Sequence, residues 1–338
     1  MRSDRQMKRF ILTLLGIPGV GSKTVLRILK THRQSIEKAE LLDESFARSL
    51  QVGAIEKGLA KGGASWDAIE EGADGTLEAA NRCGACVLQP FDPEYPQRLL
   101  LNENYPPMLF ARGDVGALNA DKAVAIVGTR EPTQFGARMG RRLAQILAED
   151  GYVVISGLAL GCDTVGHEGA LDAGGKTVAV LPTPIDAPVY PKQNKVLAQR
   201  ILDNGGTLLS EYAPGNTLHD RQLVGNLVAR DEWQSGLSDG VIAIETSTTG
   251  GTNHALDHAA RTHTPIAVFD YGSRAAMGFF QDERFSGNVE RLRQGATGIF
   301  EPETIESFKR EMEEYRREAI DKARMLAGGN DQSSLTLF

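Results

Sequence analysis

Six apolar runs of strand length recur between residues 122 and 269, namely KAVAIVG, YVVIS, KTVAVLP, GTLLS, GVIAIE and PIAVF, each succeeded by a segment long enough for a helix. A strand that is apolar at nearly every position is covered on both faces, and intervening helices are the connections that make neighbouring strands parallel. The pattern predicts an α/β chain built on a doubly wound, mainly parallel sheet. In such sheets ligands bind beyond the carboxyl ends of the strands, so the loops after these runs are where function is expected.

The flanks differ in texture. Residues 1–70 read as a small helical domain, in which FILTLLGIPGVGSKTVLRILK gives two amphipathic segments broken at Gly16, Pro18, Gly19 and Gly21. GIPGVGSKT fits a helix-hairpin-helix (SAM-like) turn whose amides, with Lys23, approach a DNA phosphate without reading bases; a compact turn joining two core helices demands the same glycines. Residues 71–115, rich in proline and aromatics at turn positions, read as a linker and extension packed on the central domain. Residues 116–275 form the Rossmann-like domain. Residues 276–338 form a helical extension and tail, with one highly charged helix over 301–327.

No apolar run approaches the roughly 20 residues needed to cross a bilayer, and the N-terminus shows no small-residue cleavage pattern, so a cytoplasmic protein is expected. Three cysteines cannot build a disulfide framework, and Cys83 with Cys86 lacks the second pair of a structural zinc site, so no metal is expected. With 37 Lys and Arg against 44 Asp and Glu, any nucleic-acid site must be a local patch.

Three loops carry candidate anion ligands. After the first run, Gly128, Thr129 and Arg130 leave the strand as a helix begins near Thr133; glycine admits close approach, the helix start offers amides, and Arg130 offers a guanidinium fork. The GxGxxG dinucleotide fingerprint is not matched, because Arg130 replaces its second glycine. After the second run, Ser156, Gly157 and Gly161 precede a helix with Asp163 in its first turn, although such glycines also serve a tight turn alone. After GVIAIE, Ser247, Thr248, Thr249, Gly250, Gly251 and Thr252 again lead into a helix. The three loops are expected to converge on one crevice that takes a phosphate-rich ligand.

Competing chemistries fit less well. Ser156, Asp163 and His167 lack the GxSxG elbow of a hydrolase. His254 and His258, with Asp257 between them, lack the general-base Glu of a metalloprotease, even with His263 added. A phosphoribohydrolase loop PGGxGTxxE needs a final carboxylate, and TTGGTNHA places Ala255 there. No enzymatic reaction is expected.

Together, GTREPTQFG, SGLALGCDTVGHEGALDAGGKTVAVLPTPIDAPVYPKQNKVLAQRI, GGTLLSEYAPG and GLSDGVIAIETSTTGGTNHALDHA resemble the DprA/Smf DNA-processing family, over roughly 90 to 270. DPEYPQRLL, YPPMLFARGD and GIPGVGSKT are similar to that family's flanking parts. The resemblance implies a single-stranded DNA-binding recombination mediator, acting in recombination or DNA uptake, that brings a RecA-type recombinase onto DNA, usually as a homodimer and without cofactor. By motif, Arg130 and Lys192 or Lys195 would hold strand phosphates, with Ser156, Gly157 and Gly161 lining the pocket. Where the family carries a basic FPxRNR segment, this chain reads LVGNLVARDEWQSGLSD. Arg230 survives, and Asp231 and Glu232 replace Asn and Arg. The change either weakens strand affinity or marks a different ligand, such as a nucleotide held by a sensor of the same superfamily. Trp233 offers a stacking face or fills a half-buried core position.

The terminal QSSLTLF resembles the sliding-clamp-binding peptide pattern QxxLxLF, with Gln332, Leu335, Leu337 and Phe338 as its anchors; a tail folded back on its own domain is the alternative. The sequence shows no sign of the winged helix that often ends family members.

Overall fold

The expected strands form a single sheet in the computed structural model, which describes residues 4–61, 63, 65–216, 220–271 and 282–327. Nine strands, β1 (Cys86–Leu88), β2 (Leu109–Gly113), β3 (Ala123–Val127), β4 (Val153–Ser156), β5 (Thr177–Val180), β6 (Thr207–Ser210), β7 (Val241–Ala243), β8 (Ile266–Phe269) and β9 (Thr297–Ile299), lie in the order β1-β2-β6-β5-β4-β3-β7-β8-β9. β3 to β9 pair in parallel, whereas β2 pairs antiparallel with β6 and β1 antiparallel with β2. The six apolar runs are β3 to β8. Val124, Ala125, Val154, Val178, Ala179, Val241, Ala243, Ala267 and Val268 are wholly buried, as strands covered by helices on both faces require.

Three further strands come from segments without a continuous apolar run. β1 and β2 lie within residues 71–115, and β9 within 276–338, so the extension and the tail region both contribute edge strands. Arg98 fixes the extension: its guanidinium donates to both Asp239 oxygens at 2.9 and 3.0 Å, and Asp239 in turn accepts from the Ala123 amide at 3.0 Å, at the foot of β3.

The N-terminal helices Asp4–Gly16, Ser22–Thr31, Gly53–Lys61 and Trp66–Arg82 enclose Phe10, Ile11, Leu14, Ile28, Ile36, Ile55 and Trp66. Burying each such side chain contributes about 1.5–3 kcal/mol. Arg9 clamps the first helix to the last through Asp74 at 2.8 Å and Glu70 at 3.0 Å. The charged helix runs from Pro302 to Ala327, and its Phe308 and Met312 are buried against the sheet-covering cluster. Among the described residues no helix is long and apolar enough to cross a membrane.

Candidate nucleic-acid interface

Strand order reverses at β3, which lies between β4 and β7. That switch point is where a doubly wound sheet ordinarily opens a ligand crevice. In this chain it is closed. The Thr129 amide donates to the Glu245 carbonyl at 2.7 Å, and the fully buried Glu245 carboxylate accepts from the Thr133 amide at 2.7 Å and the Thr133 hydroxyl at 2.6 Å. Thr133 caps the helix Gln134–Glu149, so an internal carboxylate occupies the helix start where a phosphate was expected. The Tyr271 hydroxyl also donates to Glu245, at 3.1 Å, and its pKa is raised by burial and then by that carboxylate. Asn288 closes the neighbouring strand ends, donating to the carbonyls of Ile244 and Phe269 and accepting from the Thr246 amide.

The second loop is likewise satisfied from within. Asp163 accepts from the amides of Gly157 at 3.2 Å and Ala159 at 3.1 Å, and the Ser156 hydroxyl is buried, donating to the Ile126 carbonyl at 2.6 Å. Burial raises the pKa of Asp163, and the nearby Arg230 lowers it, with 4.0 Å between the charged groups. Arg230 itself is only 6% exposed: it donates to the Gly157 carbonyl at 2.5 Å and to Asp231 at 2.7 and 3.1 Å. Each of its three nitrogens donates to the protein.

An open groove of about 870 Å³ lies beside the switch point, over the ends of β4, β5 and β6. Arg130, Leu160, Thr183, Tyr190, Lys192, Gln193, Asn216, Leu223 and Leu227 line it, and the Arg230 guanidinium borders it. Arg130 and Lys192 are both exposed, and no ion-pair partner holds either among the described residues. Their spacing is built in. Gly161 (φ +78°) brings the second loop so close to the first that a Cβ there would stand 2.4 Å from the Thr129 carbonyl oxygen, and the Cys162 amide bonds that oxygen at 3.1 Å. On the other side, buried Asn194 donates to the carbonyls of Leu158 at 2.8 Å and Ala159 at 3.1 Å and to the Thr164 hydroxyl at 2.9 Å. The loop Leu158–Gly161 thus ties the Arg130 turn to the Lys192 turn.

Of the expected residues, the structure gathers Arg130, Lys192 and Arg230 at one groove. Ser156 faces β3 rather than the groove. Lys195 is exposed and starts the helix Lys195–Asp203, just beyond the groove wall. Gly250, Gly251 and Thr252 come after β7, on the far side of β3, and do not line the groove. Two loops therefore meet at the groove, not three, because Glu245 fills the space between the first and the third, bonded to Thr129 and Thr133. Sequence reasoning missed Tyr190 (38% exposed) and Leu160 (37% exposed), apolar faces at the groove rim, and Asn194, which fixes its width. An aromatic beside proline in a loop was the available signal for Tyr190.

The two acidic departures point away from the groove. Asp231 pairs with Arg230 and accepts from Gln234 at 2.9 Å, and Glu232 pairs with Arg261 at 2.9 Å. Trp233 is half-buried, donating to Glu211 at 2.9 Å. The hydrolase set does not assemble: His167 Nδ1 lies 2.7 Å from the Thr177 hydroxyl, which donates onward to the Val154 carbonyl, so the ring donates there. Burial drives its pKa down to about 3. Ala255 and His258 are buried in the helix Asn253–Thr262, and no cluster of metal-ligating residues occurs among the described residues.

Comparison with known proteins places this geometry in a family. Residues 86–309 match the family model of DNA recombination-mediator protein A. The chain is 37% identical over 221 residues to Protein Smf of Escherichia coli K12, covering 64% of this chain and 55% of that protein. It is 39% identical over 161 residues to DNA processing protein DprA of Streptococcus pneumoniae R6, covering 48% of this chain and 54% of that one. The chain spans about half the length of curated relatives such as these. Among solved structures, DprA from Streptococcus pneumoniae superposes with a TM-score of 0.70 at 24% identity, over 90% of this chain and 98% of that one. DNA processing protein A from Helicobacter pylori, solved to examine its single-stranded DNA binding, superposes with a TM-score of 0.56 at 27% identity, over 69% of this chain and 96% of that one. On the match over residues 86–309, the chain belongs to the DNA recombination-mediator protein A family.

Proposed function

We propose that this protein binds single-stranded DNA in its groove, as a non-enzymatic mediator in DNA recombination or uptake. The observation that carries the reading is the pair of uncommitted cations, Arg130 and Lys192, held across one groove with Tyr190 exposed at its rim. Single strands are held by cations that track phosphates and by aromatic faces on which bases stack, and the groove offers both. Backbone amides contribute less than the loop sequences suggest, since Glu245 and Asp163 already engage them. For the same reason a nucleotide sensor is the weaker reading: its compact phosphates would need the helix starts that these carboxylates fill.

Loading of a RecA-type recombinase, a homodimeric assembly and a cytoplasmic setting accompany this reading through the family resemblance. Gln332, Leu335, Leu337 and Phe338 lie outside the described residues, and we assign QSSLTLF to a sliding clamp on its pattern. Deleting 332–338 is expected to abolish recovery of the chain on immobilised clamp; unchanged recovery refutes that assignment.

The groove is tested by titrating oligothymidine across salt concentrations beside free mononucleotides. With about three phosphates neutralised by Arg130, Lys192 and Lys195, the log-log slope is expected near −2, at about −0.7 per phosphate. A flat salt response with tight binding of a mononucleotide would overturn the reading.

A further inference from the structure

The N-terminal hairpin carries a charge asymmetry that the groove does not use. Between Asp4 and Glu37 the sequence has no acidic residue, yet it holds Arg5, Lys8, Arg9, Lys23, Arg27, Lys30 and Arg33, in a chain whose net charge is −7. Several of these are neutralised internally: Arg5 and Arg9 by Asp74, Lys8 by Asp4 and Asp92, and Arg33 by Glu37. Lys23 and Arg27 are not. They lie four residues apart on the exposed face of Ser22–Thr31 and have no ion-pair partner among the described residues.

A second pair joins them from another helix. Gly58 of Gly53–Lys61 is packed against the hairpin turn so closely that a Cβ would stand 2.5 Å from the Pro18 carbonyl oxygen and 2.4 Å from Ile17. This contact packs against the turn the helix that carries Lys57, the residue before Gly58, and Lys61, one turn further on, both exposed and without an ion-pair partner among the described residues. The turn itself presents little bulk: Gly19 and Gly21 are exposed and Val20 is buried. Four uncommitted cations therefore lie on the two helices that meet at this turn.

We infer that this hairpin is a second DNA site, taking the sugar-phosphate backbone of a duplex while the groove takes a single strand. The choice of duplex rests on what the surface lacks and what it offers. Neither Ser22–Thr31 nor Gly53–Lys61 contains an aromatic residue, so there is no platform for unstacked bases. Cations without stacking partners grip phosphates alone, and duplex DNA presents them about twice as densely along its axis as one strand does. A protein with both sites recognises the junction between duplex and single strand.

The test uses the full chain, a blunt duplex and oligothymidine. K23Q/R27Q is expected to weaken duplex binding about 10-fold and to make its log-log salt slope shallower by about 1.8, at about 0.9 per phosphate contact, with oligothymidine affinity unchanged. K57Q/K61Q is expected to act in the same direction through a separate helix, which guards against misfolding of the first variant. The inference is overturned if the wild type does not bind duplex, or if both variants bind it as the wild type does. It is equally overturned if R130A/K192A abolishes duplex binding while the hairpin variants retain it. Failure of R130A/K192A to alter oligothymidine binding would count against the groove alone.

Discussion

Replacing Arg130 and Lys192 together by alanine is expected to weaken oligothymidine binding by about 100-fold. Each side chain offers a phosphate a charge-assisted hydrogen bond, for which about 1.5–3 kcal/mol is typical, and the lower figure for both gives about 3 kcal/mol. Every 1.4 kcal/mol is about a tenfold change in Kd. Neither side chain has an ion-pair partner among the described residues, and both are exposed, so the urea midpoint of the variant is expected to match the wild type within about 0.5 kcal/mol. Fluorescence anisotropy with labelled oligothymidine at low salt measures the loss. Either single variant should fall between, and the two losses need not add, since both cations serve one strand in one groove.

Replacing Arg230 by methionine is expected to have the opposite profile, with a large loss of stability. Arg230 is the buried cation between two buried carboxylates, Asp163 at 4.0 Å and Asp231 at 2.7 Å. Removing one partner of a buried ion cluster leaves charge uncompensated, at about 3–5 kcal/mol. The loss should depend on pH. Burial already raises the pKa of Asp163, and Arg230 opposes that shift, so its removal raises the pKa further. A carboxyl whose folded pKa lies above its unfolded value penalises the fold at higher pH and not below the unfolded value. The deficit is therefore expected to be largest at neutral pH and to shrink as pH falls toward the ordinary aspartate value near 4. Urea unfolding of both proteins at several pH values measures it; equal midpoints at neutral pH would mean that Arg230 is not the counter-charge of these carboxylates.

These two sets of residues show what sequence can and cannot convey. Arg130 and Lys192, the cations proposed to hold the strand, stand out in short motifs, Arg130 in the turn directly after β3 and Lys192 in the long connection after β5. Arg230 lay in an equally suggestive motif, but its partner Asp163 is 67 positions away, and only the folded chain reveals that the pair satisfies itself. Glu245 is the sharper case. It ends an apolar run like any strand-terminal residue, and its bond to Thr133 spans 112 positions, yet it decides that the switch point is closed.

Strands were legible in proportion to how completely they are buried. β3 to β8 announce themselves as continuous apolar runs. β1 and β9 have three residues each, and β2 ends in Arg112 and Gly113 among prolines and aromatics, so they pair because a sheet edge is there to receive them. The convergence of three glycine loops failed for a related reason: glycine permits a close approach but does not say whether a ligand or the protein makes it.

A structure of the chain with bound oligothymidine tests the central claim most directly. Phosphate oxygens should lie about 2.7–2.9 Å from the Arg130 guanidinium and the Lys192 ammonium, with a base against Tyr190 and with Glu245 still on Thr133. A strand seated instead over β7 and the Gly250–Thr252 turn, with Arg130 and Lys192 left in solvent, would contradict it.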